Sequence, residues 1–220
     1  MNKRILKFGI LVICLTLFFA SCQKDEKKVT FSGTIVDSYS NNPISGASVT
    51  LASKKIESGV YNSNFQNITT ISTDANGQYS IESPFESVIA YKIFVGKSNY
   101  FDFSTEINSN DVPNGSNYNA TYSISPAAYI KLHIKNNVPF DSLDMISYSY
   151  KNTQPGCIDC CNNNIFQGIG QLFETTFKCK TFGNTTNKIE WRVTKNGTMV
   201  LHSQDVFCAP FDTTNFEILY

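Results

Sequence analysis

The sequence predicts an all-β fold, two β-sandwich modules in tandem, and three observations lead there. Asn, Ser and Thr supply 65 of the 220 residues, while Asp, Glu, Lys and Arg together make up only 16%. That is a composition of half-exposed strands and polar turns rather than of charged helices. From Val29 onward, short apolar runs alternate with period two between clusters of turn residues. No window carries a sustained helical period with good caps.

The first 21 residues stand apart from this pattern. Lys3, Arg4 and Lys7 precede an apolar stretch from Phe8 to Ala20, shorter than the ~20 residues needed to span a bilayer core. Residues 1–21 therefore read as a cleavable export signal. The stretch ends in Phe19-Ala20-Ser21-Cys22, which resembles the lipobox of bacterial lipoproteins and makes Cys22 the expected lipidated first residue. Several acyl chains at ~0.8 kcal/mol per buried CH₂ would anchor it stably. Residues 22–28 are a polar tether with nothing to bury. Within it, Lys24-Asp25-Glu26 is similar to the surface-export signal of Bacteroidota-type lipoproteins. Removing the signal takes three of 18 basic residues and leaves 15 against 18 acidic ones, a balance that argues against nucleic acid as a partner.

Residues 29–126 form the first expected module. Thr30 to Asp37 alternates, Ser38 to Asn42 interrupts, and Ala47 to Leu51 resumes the alternation. Further strands are expected at Thr69–Thr73, Gln78–Glu82, Val88–Val95, Phe101–Glu106 and Tyr118–Ile124. Pro43 and Gly46 shape the first connection. Asp74 and Gly77 form an Asp-x-x-Gly turn in which glycine supplies a permissive backbone. Three segments, Gly33-Thr34-Ile35-Val36-Asp37, Asn42-Pro43-Ile44-Ser45-Gly46-Ala47-Ser48-Val49-Thr50-Leu51 and Ser72-Thr73-Asp74-Ala75-Asn76-Gly77-Gln78-Tyr79-Ser80-Ile81, together resemble the carboxypeptidase regulatory-like domain. The resemblance implies a transthyretin-like seven-stranded sandwich that is non-catalytic. The span from Lys54 to Asn67 exceeds the usual connection of that family.

Pro126 interrupts a strand, and the alternation restarts after it, so residues 127–220 form the second expected module. Its strands are placed at Tyr129–Lys135, Met145–Tyr150, Gln171–Thr181, Lys188–Lys195, Thr198–Ser203 and Phe216–Leu219. Asn196-Gly197 is a two-residue hairpin signal, since both residues accept positive φ. Ile189, Trp191 and Val193 share one core face, and Phe173, Phe177 and Cys179 another. The Cys and Trp on successive strands resemble an immunoglobulin-like sandwich, but Cys208 follows Trp191 too closely for that family, leaving an immunoglobulin-like or related sandwich.

After signal removal and lipidation, five cysteines remain, all in this module: Cys157, Cys160, Cys161, Cys179 and Cys208. An exported protein favours disulfides, and five cysteines allow at most two bridges and one leftover thiol. One bridge is expected to tie the Cys157–Cys161 loop to Cys179 or Cys208. A zinc ribbon would need a second Cys-x-x-Cys knuckle, which is missing, and no helix start follows the first to activate a thiol. His133 and His202 lie in strands, outside any zinc-binding arrangement. Asp74-x-Asn76 begins like a calcium loop, but Gly77 stands fourth rather than sixth. No nucleophile elbow or phosphate loop is present, so no cofactor or metal is expected. Ser142 and Thr213, in Asp141-Ser142-Leu143 and Asp212-Thr213-Thr214, resemble the O-glycosylation motif of Bacteroidota proteins. Tyr61, Phe65, Tyr148 and Tyr150 fall in or near irregular segments and either stack on sugar rings or fill the two cores or the interface between the modules.

The expected protein is thus a non-catalytic outer-membrane lipoprotein, surface exposed, acting as a binding or display module, with the membrane as partner through its lipid. Two alternatives belong to other classes: a glycan-binding accessory protein of a polysaccharide-uptake system, and a subunit docking to an outer-membrane protein.

Overall fold

A computed structural model describes residues 27–57, 60–61, 63–151 and 157–220. Nine strands build the first half: β1 (Lys28–Asp37), β2 (Ser48–Lys54), β3 (Ile56–Glu57), β4 (Val60–Tyr61), β5 (Gln66–Ser72), β6 (Gln78–Pro84), β7 (Ala90–Gly96), β8 (Phe103–Asn108) and β9 (Asn117–Ile124). Seven build the second: β10 (Ala127–Lys135), β11 (Met145–Tyr150), β12 (Phe166–Ile169), β13 (Glu174–Phe182), β14 (Thr185–Lys195), β15 (Thr198–Cys208) and β16 (Thr213–Leu219). The fold is all-β, with one 3₁₀ turn at Ser109–Asp111 among the described residues.

Each half folds as two facing sheets, with strand orders β6-β1-β9 and β5-β2-β7-β8 in the first, β13-β10-β16 and β12-β11-β14-β15 in the second. Setting aside the small β3–β4 hairpin, which occupies the long span after Lys54, the two orders are the same. In both halves the opening strand pairs antiparallel with the fourth strand and parallel with the last. An immunoglobulin domain places its first two strands in one sheet and the last with the third and sixth. The second module, with its first and last strands paired, is the related sandwich and repeats the topology of the first.

Alternation explains each core. Along β6, Tyr79, Ile81 and Ser83 point inward and their neighbours outward, and along β1 Val29, Phe31 and Ile35 are fully buried. They meet Val49, Leu51, Tyr91 and Ile93 from the opposite sheet. The second core sets Ile130, Leu132 and Ile134 of β10 against Ile146, Tyr150 and Ile189. Each such side chain contributes ~1.5–3 kcal/mol by leaving water. Trp191, Val193, Phe173, Phe177 and Cys179 all pack on this second core.

Several strand bounds differ from expectation. The strand expected from Gln171 begins at Glu174, because Gly170 (φ +109) and Leu172 form a turn. The one expected to end at Ser203 runs on to Cys208, where burial of Val206 and Cys208 resumes the inward alternation. Four residues, Phe166–Ile169, form an edge strand that sequence periodicity did not mark.

The modules dock end to end with no linker. β9 ends at Ile124 and β10 begins at Ala127, with Pro126 bridging to Tyr100. Phe101 N donates to Ser125 O at 2.8 Å, Ala127 N to Asn99 O at 2.8 Å and Gly183 N to Pro126 O at 2.7 Å. The rings of Phe101 and Phe182 lie 4.6 Å apart, and Lys180 Nζ sits 4.3 Å over the Phe101 ring. Since β1 ends and β10 begins at this junction, Lys28 and Lys135 lie at opposite poles, roughly 60 Å apart for two strands of nine or ten residues each.

Candidate functional site

The connections at the junction end of the first module are woven from its turn motifs. Ile35 N donates to Gly77 O and Ile44 N to Ile35 O, both at 2.8 Å. Thr73 Oγ1 donates to Ile44 O at 2.6 Å and accepts from Ala47 N at 2.9 Å. Gly77 (φ +70) closes the Asp74 turn, where Asp74 Oδ1 accepts from Asn76 N and Gln78 N. A side chain at Gly77 would meet Ile35 O at 2.8 Å and Pro43 Cβ at 2.9 Å. Pro43 and Gly77 therefore pack on one another, which the sequence separation of the two motifs did not disclose.

Where these turns face the second module, a cleft of about 410 Å³ opens. Asp37, Tyr39, Pro43, Lys97 and Tyr100 line one wall, and Asn184, Pro210 and Phe211 the other. Asp37 is buried, and its Oδ1 accepts from Tyr39 N (3.0 Å), Ser40 N (2.9 Å) and Ser40 Oγ (3.2 Å). Burial pushes this carboxyl up, but the hydrogen bonds from Ser40 and Tyr39 outweigh it and hold the group below the ordinary carboxylate value. Burial first, then the Asp37 charge, pushes the Tyr100 phenol up to about 12. Lys97 Nζ caps the carbonyls of Ser45 and Gly46 at 2.9 and 3.2 Å. At the mouth, Tyr39 is 65% and Phe211 51% exposed. Phe211 holds φ +66, a left-handed backbone that a bulky side chain adopts only under constraint. Its N–H is fixed to Ala127 O at 2.7 Å and its ring lies 5.2 Å from Tyr100. The cleft offers exposed aromatic edges and a saturated carboxylate. The Asp37 carboxyl and the Tyr100 phenol are paired with one another.

A second buried carboxylate organises the far pole. Asp144 is fully buried; it accepts from Asn136 Nδ2 (2.8 Å), Phe140 N (2.7 Å) and Asp141 N (3.3 Å), with Lys195 Nζ at 3.9 Å. Burial raises this carboxyl, and its donors more than compensate, holding it below the ordinary value. His133 lies on the outer face of β10 between Glu174 and Glu217, at 2.9 and 2.8 Å, so both ring nitrogens are engaged. His202 stacks on Trp191. Among the described residues, no group of His, Cys, Asp and Glu could hold a metal ion.

Of the cysteines, Cys157 bonds to Cys160 and Cys161 to Cys179. The second bridge ties the loop to β13, one of the two attachments left open by the sequence. Cys208, also a bridge candidate, is instead a free thiol, fully buried in the second core. Burial pushes that thiol up, partly offset by Asn187. Asn196 and Gly197 take φ +46 and +72 and close the β14–β15 hairpin. Ser142 is exposed in a loop, while Thr213 is half-buried at the start of β16. Tyr148 and Tyr150 are core residues, not surface ones, because β11 is a central strand. Phe65 lies beneath Lys54 Nζ at 4.5 Å. Cys22, Lys24, Asp25 and Glu26 lie outside the described residues, as does the Tyr61 side chain. Sequence reasoning missed Lys97, Tyr100, Asn184 and Phe211, which meet only through docking of the modules.

No protein-family model matches the chain, and no curated protein does. Among solved structures, the Bacillus anthracis TIE protein is 14% identical over 87% of this chain and 34% of its own, at a TM-score of 0.35. A streptococcal ancillary pilin is 13% identical over 84% and 63%, at 0.37. Catechol 1,2-dioxygenase from Acinetobacter sp. ADP1 is 13% identical over 48% and 55%, at 0.36. This chain covers less than two thirds of each of these structures. Likenesses this distant carry no argument about function. Among the described residues, no helix is long and apolar enough to cross a membrane.

Proposed function

We propose that this chain is a lipid-anchored, non-catalytic binding or display protein of the bacterial outer membrane, exposed at the cell surface. The observation that carries the reading is the end-to-end docking of the sandwiches. The tether joins at Lys28, the pole remote from the second module, so an anchor at Cys22 would hold that module and the cleft away from the bilayer. The two carboxylates nearest to a site, Asp37 and Asp144, are occupied by structural donors, which supports a binding role over a catalytic one. Metabolic labelling with a palmitate analogue tests the anchor. Label is expected on the wild-type chain, and Cys22→Ala should lose it and pass into the soluble fraction. A labelled Cys22→Ala chain would contradict the reading.

A narrower reading, glycan recognition, is favoured by the cleft. Tyr39 and Phe211 present aromatic surface at the mouth, suited to the apolar faces of sugar rings, and Lys97, Asn42 and Asn184 line it with hydrogen-bonding groups. Binding to one member of a polysaccharide array should then fall at least tenfold in Phe211→Ala. Retention unchanged by that substitution would move recognition elsewhere.

A further inference from the structure

β15 is the outermost strand of its sheet, and all its residues from Thr198 to Asp205 are exposed. The two-residue turn at Asn196-Gly197 makes Lys195 and Thr198 the mutually hydrogen-bonded pair, and pairs alternate from there. The odd-numbered residues of β15 therefore aim their N–H and C=O groups away from β14, at the open edge. Phe207 O accepts from Thr214 Oγ1 at 3.1 Å, which leaves Met199 to Asp205 as free edge. Natural edges of this length are protected by Pro, Lys or a bulge. This one has none, and its register with β14 is unbroken over eleven pairs. The equivalent edge of the first module, β8, has six residues, and its Glu106 is paired with Lys54 at 3.6 Å.

The outer face of the same hairpin is self-complementary. Met199 (59% exposed), Leu201 (69%) and Phe207 (56%) alternate along it with Ser203 between them. Arg192 stands opposite Leu201 on β14, and neither Arg192 nor Asp205 has a side-chain ion-pair partner among the described residues.

We propose that two copies of this chain join edge to edge through β15, antiparallel, about a two-fold axis at Ser203. In this register Ser203 faces its own counterpart, Leu201 faces Asp205 of the second copy, and Met199 faces Phe207 of the second copy. All three pairs involve odd-numbered residues; the Ser203 and Leu201–Asp205 pairs lie within the free edge, while at Phe207, whose carbonyl already accepts from Thr214 Oγ1, the contact with Met199 is between side chains. Each exposed Phe207 is covered by Met199 and, diagonally, Leu201. Arg192 lies two strand spacings, ~10 Å at the backbone, from Asp205 of the second copy, a gap their side chains close. Charge and apolar matching favour this register over the one centred on Leu201. Centring one pair earlier, on Leu201, sets Arg192 toward Arg192 and leaves Phe207 bare. The product is a continuous eight-stranded sheet, made from two four-stranded ones.

Crosslinking on intact cells with a short bis-maleimide tests the arrangement. Ser203→Cys in the full-length chain should give a band at twice the monomer mass. Adding Asp205→Arg should reduce that band at least tenfold, because Arg192 then faces a like charge. Adding Arg192→Asp as well should restore it, a rescue that a merely misfolded variant would not show. Absence of the self-crosslink overturns the dimer. A band indifferent to Asp205→Arg, or not restored by the double change, overturns the register and with it the proposal.

Discussion

Gly33→Ala is expected to destabilise the first module strongly. Gly33 sits in the middle of β1 at φ +153, and a Cβ there would lie 1.8 Å from Ala120 O on the parallel strand β9. That contact is with backbone, so no side chain can swing aside. Either β1 and β9 separate or Gly33 changes conformation, and each breaks the ladder that closes the sandwich. Backbone strain and overpacking together put the loss at about 3 kcal/mol or more, a large part of a typical domain's 5–15 kcal/mol. Thermal unfolding should show a fall of ~10 °C or more. Gly115→Ala is the control: φ is +75, but nothing lies within 4 Å of the added carbon, so only the ~1 kcal/mol of a left-handed residue is lost. Equal effects at the two positions would mean that the clash is relieved and the close approach of β1 to β9 is not structural.

Removing the Cys161–Cys179 bridge is expected to have the next largest effect. It closes 18 residues of sequence and fastens the loop before β12 to the edge strand β13. Constraint of the unfolded chain over such a loop contributes about 3 kcal/mol, against about 2 for the three-residue separation of Cys157–Cys160. The loop is already held to β13 by Cys161 N donating to Lys180 O and Lys180 N to Asp159 O, both at 2.9 Å. The bridge therefore fixes a path that the backbone has chosen. Replacing Cys161 and Cys179 together by Ala should lower the melting temperature by ~10 °C and leave the Cys157→Ala/Cys160→Ala pair nearer wild type. A larger loss from the second pair would place the main constraint at the junction, where Cys160 packs beside Phe101 and Ala127.

How far the fold was legible depends on what each signal required. Alternation along β6 and the Asn196-Gly197 turn are local, and the sequence marked both. β12 was not marked because only four residues, two of them Gln167 and Gly168, carry it. The repeated topology was invisible for a different reason. The first module ties its opening connection with Pro43, Thr73 and Gly77, whereas the second uses the buried Asp144 with Asn136 and Lys195. Different residues solve the same geometrical problem, so no shared motif betrays it. Tyr148 and Tyr150 were ambiguous because exposure of a strand depends on its place in the sheet, which periodicity alone does not give. The cleft was least legible of all. Tyr100 and Phe211 are 111 positions apart, and their contact exists only because the modules meet without a linker.

Surface display is decided by protease shaving of intact native cells, with Cys22→Ala and a triple Lys24→Ala/Asp25→Ala/Glu26→Ala variant alongside. The wild-type chain should be digested on intact cells, the triple variant should be protected until the cells are lysed, and Cys22→Ala should be found in the soluble fraction. A wild-type chain that resists protease on intact cells and is cleaved only after lysis would contradict display and place the protein inside the envelope.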